Sequence, residues 1–324
     1  MDAFRRHSLR LLFALAAACS LPAAAQTFPS QPITIILPYS PGGAVDAMAR
    51  LLATKLGERL RVPVVVKNVA GASGAIGMAE VARAAGDGYT LLYAPSTIAI
   101  LPAFYHKLSF DPAKDLVPVS QFLEGTLLVA ANPGTGIGSL QELISRAKAK
   151  PGKLNFGSSG VADTLQLGIE MLKVDTGTDM VAVPYKGQGP MLVALLAGGV
   201  DVAVVSVQLS LPYIRNGKLR ALAVTSPKRS PALPDVPTVS ETVPGYELAS
   251  WHGVFAPAST PRDLVQRLQR EIEEISKDPA VRKTVEDAGN AVLGSTSEAF
   301  RKKLEAEIVK YKNVVKQAQL PLQD

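Results

Sequence analysis

Short apolar runs alternate along this chain with stretches in which apolar residues recur every three or four positions. The runs at 33–37, 64–67, 90–93, 117–122, 127–130, 154–157, 181–183, 202–205, 219–224 and 253–256 are strand-sized. Between them, Val45, Met48, Leu52 and Leu56 share one helical face, as do Leu264, Leu268, Ile272 and Ile275. Phe300, Leu304, Ile308, Tyr311 and Val315 predict a final amphipathic helix with a Lys/Glu outer face. Ser139 with Glu142, Ser295 with Glu298 and Asp163 with Gln166 have capping-box spacing, and Pro261 follows Thr260 as a first-turn proline does. Alternating strands and helices predict an α/β protein. No internal repeat and no low-complexity linker interrupts the pattern.

The first residues break it. Arg5, Arg6 and Arg10 precede the apolar stretch 11–18, and Ala23-Ala24-Ala25 follows, the layout of a cleavable export signal cut after Ala25. Cys19 offers the alternative of a lipidated N-terminus, although Ala16 stands where such signals usually carry Leu; Arg5-Arg6 also resembles an imperfect twin-arginine signal. Each route ends outside the cytoplasm, so a periplasmic location is expected. No later stretch reaches the roughly 20 apolar residues of a membrane helix.

Removing 25 residues from 324 leaves 299, enough for two ordinary domains. The only cysteine leaves with the signal, so the remaining chain has no thiol nucleophile, cysteine metal site or disulfide. Its net charge falls from +6 to about +4 once three arginines and Asp2 are gone. With no basic cluster interleaved with aromatics, nucleic acid is not an expected partner. Because nothing resembles a disordered joint, the chain is expected to cross twice between domains, near Leu123 and Trp251. That places one discontinuous domain at 26–123 plus 251–324 and an inserted domain at 124–250, with a ligand cleft between them.

Two glycine-rich loops, Pro38 to Asp46 and Asn68 to Gly77, each follow a short apolar run. Such loops let backbone N–H groups and a helix N-terminus converge on an anion, so the pair suggests a carboxylate or phosphate clamp. Each also has a plainer reading. Pro41-Gly42-Gly43 can be a tight strand-to-helix turn, and Asp46 a helix-start residue holding backbone N–H groups. Ser158 and Ser159 precede a predicted helix and can face a ligand or their own backbone; Tyr185 can be half-buried core, Lys186 a solvated charge and Trp251 hinge packing.

Enzymatic chemistry finds little support. His106 and His252 are the only histidines after residue 25, lack metal-ligand spacing and are expected to be structural. Gly157-Ser158-Ser159-Gly160 is not a nucleophile elbow, and Gly71, Gly74 and Gly77 are not spaced as a dinucleotide fingerprint. No cofactor and no metal are expected.

In order along the chain stand Pro41-Gly42-Gly43-Ala44-Val45-Asp46, Gly71-Ala72-Ser73-Gly74-Ala75-Ile76-Gly77, Phe156-Gly157-Ser158-Ser159-Gly160, Val183-Pro184-Tyr185-Lys186-Gly187, Gly217-Lys218-Leu219-Arg220-Ala221 and Leu233-Pro234-Asp235-Val236-Pro237-Thr238. Six blocks in register over nearly the whole chain resemble the Bug receptors, extracytoplasmic solute-binding proteins of tripartite tricarboxylate transporters. The resemblance implies a type II periplasmic-binding-protein fold, two α/β domains joined by two hinge crossings, closing on a small carboxylate. It implies a site from Tyr39, Ser40, Gly42, Gly43 and Asp46, from Ala72, Ser73 and Gly74, and from Ser96 and Thr97. Facing these would stand Ser158, Ser159, Gly160, Asp163, Tyr185, Gly187 and Ser206. The implied partners are two integral-membrane transporter subunits, with the receptor itself a monomer and not an enzyme. A subunit reporting to a membrane histidine kinase and an exported hydrolase using Ser158 or Ser159 are the alternatives. The chain departs from the family at Gln166, where many relatives carry histidine, and at Val204-Val205, where many carry Phe-Asp. Without that acid the pocket is expected to prefer a non-amino carboxylate, including one with an apolar or aromatic body.

Overall fold

The computed structural model describes residues 28–160 and 162–323. The expected signal segment, its cut after Ala25 and Cys19 lie outside the described residues.

From Gln31 onward the chain forms one body built on two sheets. The first carries strands β1 (Ile33–Leu37), β2 (Val64–Asn68), β3 (Thr90–Pro95), β4 (Leu116–Gly125), β10 (Ser250–Pro257) and β11 (Asn290–Val292), in the order β11-β4-β10-β3-β1-β2. The second carries β5 (Leu127–Ala131), β6 (Asn155–Ser158), β7 (Val181–Pro184), β8 (Val202–Ser206) and β9 (Arg220–Val224), in the order β7-β6-β8-β5-β9. The half of each sheet built from strand–helix–strand units is parallel, and the strands next to the passage between sheets are antiparallel. Only Thr126 separates β4 from β5, and the chain re-enters the first sheet at Ser250. The fold is that of a type II periplasmic-binding protein.

Among the described residues ten α-helices connect or follow the strands. Those that matter below are α1 (Ala44–Leu60), α2 (Ala75–Ala82), α3 (Thr97–Phe104), α4 (Leu140–Ala149), α5 (Thr164–Thr176), α6 (Gln188–Ala197) and α7 (Val207–Arg215). After β9 come α8 (Arg262–Lys277), α9 (Pro279–Asp287) and α10 (Ser297–Gln317). Leu268, Ile272 and Ile275 of α8 are buried as their spacing predicts, with Val265 completing the stripe in place of the half-buried Leu264. Trp251 is fully buried on β10, edge-on to Phe300 of α10, and its indole N–H donates to Glu307 at 2.7 Å. The structure therefore uses Trp251 for packing, the plainer of its two readings.

Several local expectations need correction. Thr296, not Ser295, caps α10; the Ser295 hydroxyl instead accepts the Gln121 N–H in β4. Ser139 does cap α4, but Glu142 reaches the N–H of Gly138, so the reciprocal box is open by one residue. Pro261 precedes α8 as its N-cap and is not its first residue. Strands β4 and β10 outrun the apolar segments that predicted them, because backbone pairing continues past the last apolar residue, and β11 was missed since three residues carry no period.

Candidate functional site

A cavity of about 320 Å³ lies where the two sheets meet. Its wall is mostly the starts of helices. Val45 belongs to the first turn of α1, Ser96 and Thr97 open α3, Asp163, Thr164 and Leu165 open α5, Gly187 and Gln188 open α6, and Ser206 opens α7. Tyr39, Pro95, Leu127, Ser159, Ser250, His252 and Asn290 complete it. Parallel strand–helix units put helix N-termini at the carboxyl ends of strands, so each sheet delivers its helix starts to this one place.

None of these five helices has a side-chain cap of standard hydrogen-bond geometry. Away from the cavity α4, α9 and α10 are capped by Ser139, Asp278 and Thr296, while α2 and α8 are not capped by a side chain. The first N–H groups of a helix have no partner within it, and together with the macrodipole they favour an anion. Five helix starts thus turn backbone N–H groups toward one void, an arrangement that suits an anion, with Asp163 drawing on those of Thr164 and Leu165 at the start of α5. No lysine or arginine lines it.

The polar side chains on the wall are few and mostly arranged. Ser96 and Thr164, on opposite sheets, hydrogen-bond across the cavity through their hydroxyls at 3.1 Å. Gln188 donates to the Ser206 hydroxyl at 3.0 Å. Ser159 donates to the Asp163 carboxylate. Burial pushes the Asp163 carboxyl above its ordinary range, against that hydrogen bond and the nearby amides of Leu165 and Thr164. The Tyr39 hydroxyl is buried with no hydrogen bond of standard geometry. Burial drives its phenol up to about 12, with Thr97 opposing and the charge of Asp163 adding, so it is a proton donor throughout the working range.

His252 is the residue whose role the sequence left hidden. It sits on β10 beside a register shift in the β10–β4 pairing, which turns its ring toward the cavity side, with Nδ1 3.0 Å from the Tyr93 hydroxyl. Burial lowers its pKa to about 4, so the ring is neutral near pH 7. It lines the cavity as well as packing.

Of the residues expected in the site, Tyr39, Ser96, Thr97, Ser159, Asp163, Gly187 and Ser206 line the cavity. The others stand back from it. Asp46 has its carboxylate occupied by Arg50, Asn68 and the N–H of Gly42, and that pairing holds its pKa at about 2. It is the helix-start brace, not a wall group. Ser40, Gly42 and Gly43 are exposed on the same turn, as are Ala72 and Ser73 on the second loop. Gly74 lies beneath the site: a Cβ there would stand 3.4 Å from the Tyr39 hydroxyl. Ser158 is buried at the end of β6, Gly160 continues its loop, and Tyr185 pairs by its backbone N–H with Ser158. Lys186 is exposed and off the wall. Val205 is wholly buried and Gln166 is also off the wall, so the departures at those positions do not face the solute space. Thr164, Leu165 and Gln188 were within reach of sequence reasoning, since each follows a helix-start residue already singled out. Pro95, Ser250, His252 and Asn290 gave no such signal.

Among the described residues no cluster of His, Cys, Asp or Glu could hold a metal, and no helix is long and apolar enough to cross a membrane.

Known proteins share this fold. Residues 48–320 match the family described as the tripartite tricarboxylate transporter family receptor. Protein BugT of Bordetella pertussis is 36% identical over 309 residues, which cover 94% of this chain and 95% of BugT. Among solved structures, an R. palustris protein with adipate is 33% identical, with a TM-score of 0.77 over 91% of this chain and all of the other. MatC from Rhodopseudomonas palustris with bound malate is 30% identical, with a TM-score of 0.75 over 89% of this chain and all of MatC. A backbone-lined anion cavity between two α/β sheets and a family match over most of the length agree: the chain belongs to the tripartite tricarboxylate transporter receptor family.

Proposed function

We propose that this chain is an extracytoplasmic, non-enzymatic receptor that captures a small dicarboxylate in the cavity and delivers it to a tripartite tricarboxylate-type permease with two membrane subunits. The observation that carries the reading is the ring of five uncapped helix N-termini with no cationic side chain. Such a ring suits a diffuse negative charge, and a cavity of about 320 Å³ suits a solute of few carbons. The relatives that hold adipate and malate support the same solute class. In this reading the two sheets are two lobes, 26–123 plus 251–324 and 124–250, that close by flexing at Thr126 and near Ser250. The Ser96–Thr164 hydrogen bond forms on closure because its two ends belong to different lobes. The receptor acts in the periplasm as a monomer after cleavage behind Ala25.

The test is titration calorimetry on refolded protein with adipate, malate, glutarate and glutamate, joined to small-angle scattering with and without saturating solute. Binding of a dicarboxylate, with a smaller radius of gyration in the complex, is expected. Preference for glutamate over glutarate would overturn the solute class, and identical scattering profiles would overturn the hinge. The sensor alternative predicts a histidine kinase gene beside this one, the transport reading a large and a small membrane subunit.

A further inference from the structure

Among the described residues the cavity wall carries an acid, Asp163, and no cation to balance it. Asp163 stands at the start of α5, on the cavity wall, with Ser159 donating to one carboxylate oxygen. The groups around that space can be named element by element. The β1–α1 loop brings the Tyr39 hydroxyl, and α3 brings Ser96 and Thr97; β10 brings Ser250 and His252, β11 brings Asn290, α6 brings Gln188 and α7 brings Ser206. Only Tyr39, Asp163 and His252 titrate, and none of the three supplies a positive charge near neutral pH. Asp46 and Arg50, on the first turns of α1, are spent on each other.

Resting on the reading of this cavity as a carboxylate site, we propose that Asp163 is a specificity-determining residue that is protonated in the complex, donates a hydrogen bond to a solute carboxylate oxygen, and makes binding take up one proton from solvent. Two carboxylates confined together without a cation cannot both stay ionised; one takes a proton. The atoms balance simply: an ionised Asp163, one proton and the dianion give a complex with a neutral Asp163. The helix starts do not remove the conflict. Their partial positive charge favours one anion at this point, and a neutral Asp163 leaves all of it to the solute. Burial already favours the protonated form before any solute arrives. The Tyr39 hydroxyl, which has no hydrogen bond of standard geometry and feels the Asp163 charge, is a second donor on the same wall.

The probe is adipate, fully ionised above pH 7. Calorimetry at pH 8 in buffers of different ionisation enthalpy should show uptake of close to one proton by the wild-type protein and close to none by Asp163→Asn. Between pH 7 and 8.5, wild-type affinity should fall about tenfold per pH unit while that of Asp163→Asn stays flat. Tight wild-type binding with no proton uptake overturns the proposal and leaves the carboxylate receptor standing. Uptake that survives in Asp163→Asn but vanishes in His252→Gln overturns it too, by moving the proton to the imidazole. If neither adipate nor malate binds the wild type, the receptor reading fails. Where adipate binds, the Asp163 carboxyl carbon resonance checks the proton directly: its midpoint should rise from the free protein to the complex, and an unmoved midpoint overturns the proposal.

Discussion

Replacing Tyr39 by phenylalanine should move stability and affinity in opposite directions. The hydroxyl is buried, lacks a hydrogen bond of standard geometry and costs the free protein part of its desolvation. An orphaned buried polar group costs about 1–3 kcal/mol, and with Thr97 beside it the low end applies, so its removal should stabilise the free receptor by about 1 kcal/mol. For a chain of this size that raises Tm by roughly 2 °C. A bound carboxylate offers the hydroxyl an ionised acceptor, and hydrogen bonds to charged groups are worth about 1.5–3 kcal/mol. Affinity for adipate should therefore drop roughly 10- to 100-fold. Phenylalanine keeps the ring, so packing over Gly74 is unchanged. Thermal unfolding of the free protein and calorimetry of the complex measure the two halves separately. A variant that loses stability while keeping its affinity would show that the hydroxyl is satisfied in the free state and idle in the bound one, which would refute the reasoning.

The two glycine loops should differ in tolerance. Gly43→Ala meets no atom within 4 Å at a negative φ and should change affinity and stability little, whereas Gly74→Val, at φ 98° with Met78 at 3.1 Å, should displace Tyr39 and weaken binding at least tenfold by calorimetry. His252 makes stability acid-sensitive. Its folded pKa of about 4 lies below the unfolded 6.5, so its contribution is complete above pH 6.5 and falls away by about 3 kcal/mol as pH drops toward 4; urea titrations over that range should be flatter for His252→Gln. Val205→Asp should cost several kcal/mol and leave little soluble protein, because an unpaired carboxylate would enter a fully buried strand; a folded variant with altered solute charge preference would show that the position reaches the cavity after all.

How far the residues themselves announced this site depends on what kind of information it needed. The start at Asp163 was legible because helix initiation is local chemistry, set by residues within one turn, whereas Gly187 and Ser206 were named through the family resemblance and only the structure shows them opening helices. Asp46 shows the limit of that reading. Its place beside a glycine loop allowed both a ligand role and a helix brace, and only the positions of Arg50 and Asn68, the latter 22 residues away, chose the brace. Val205 misled for a related reason: a strand end looks the same from sequence whether its side chain meets the cleft or the core.

The sequence by itself determined the α/β alternation, most strand and helix positions and, through six ordered blocks, the family. These follow from periodicity and turn chemistry, which act over a few residues. Tertiary structure alone decided that α1 and α3 from one sheet and α5, α6 and α7 from the other begin around the same void, that no cation shares it, and that His252 and Asn290 reach its wall from strands far apart in the chain. Period tells which face of an element is apolar but not which elements become neighbours. That is set by long-range strand pairing, such as β10 between β3 and β4, and by the burial it enforces. The anion site belongs to no segment; it exists where helix ends meet, and its charge preference comes from what the fold keeps out as much as from what it brings in.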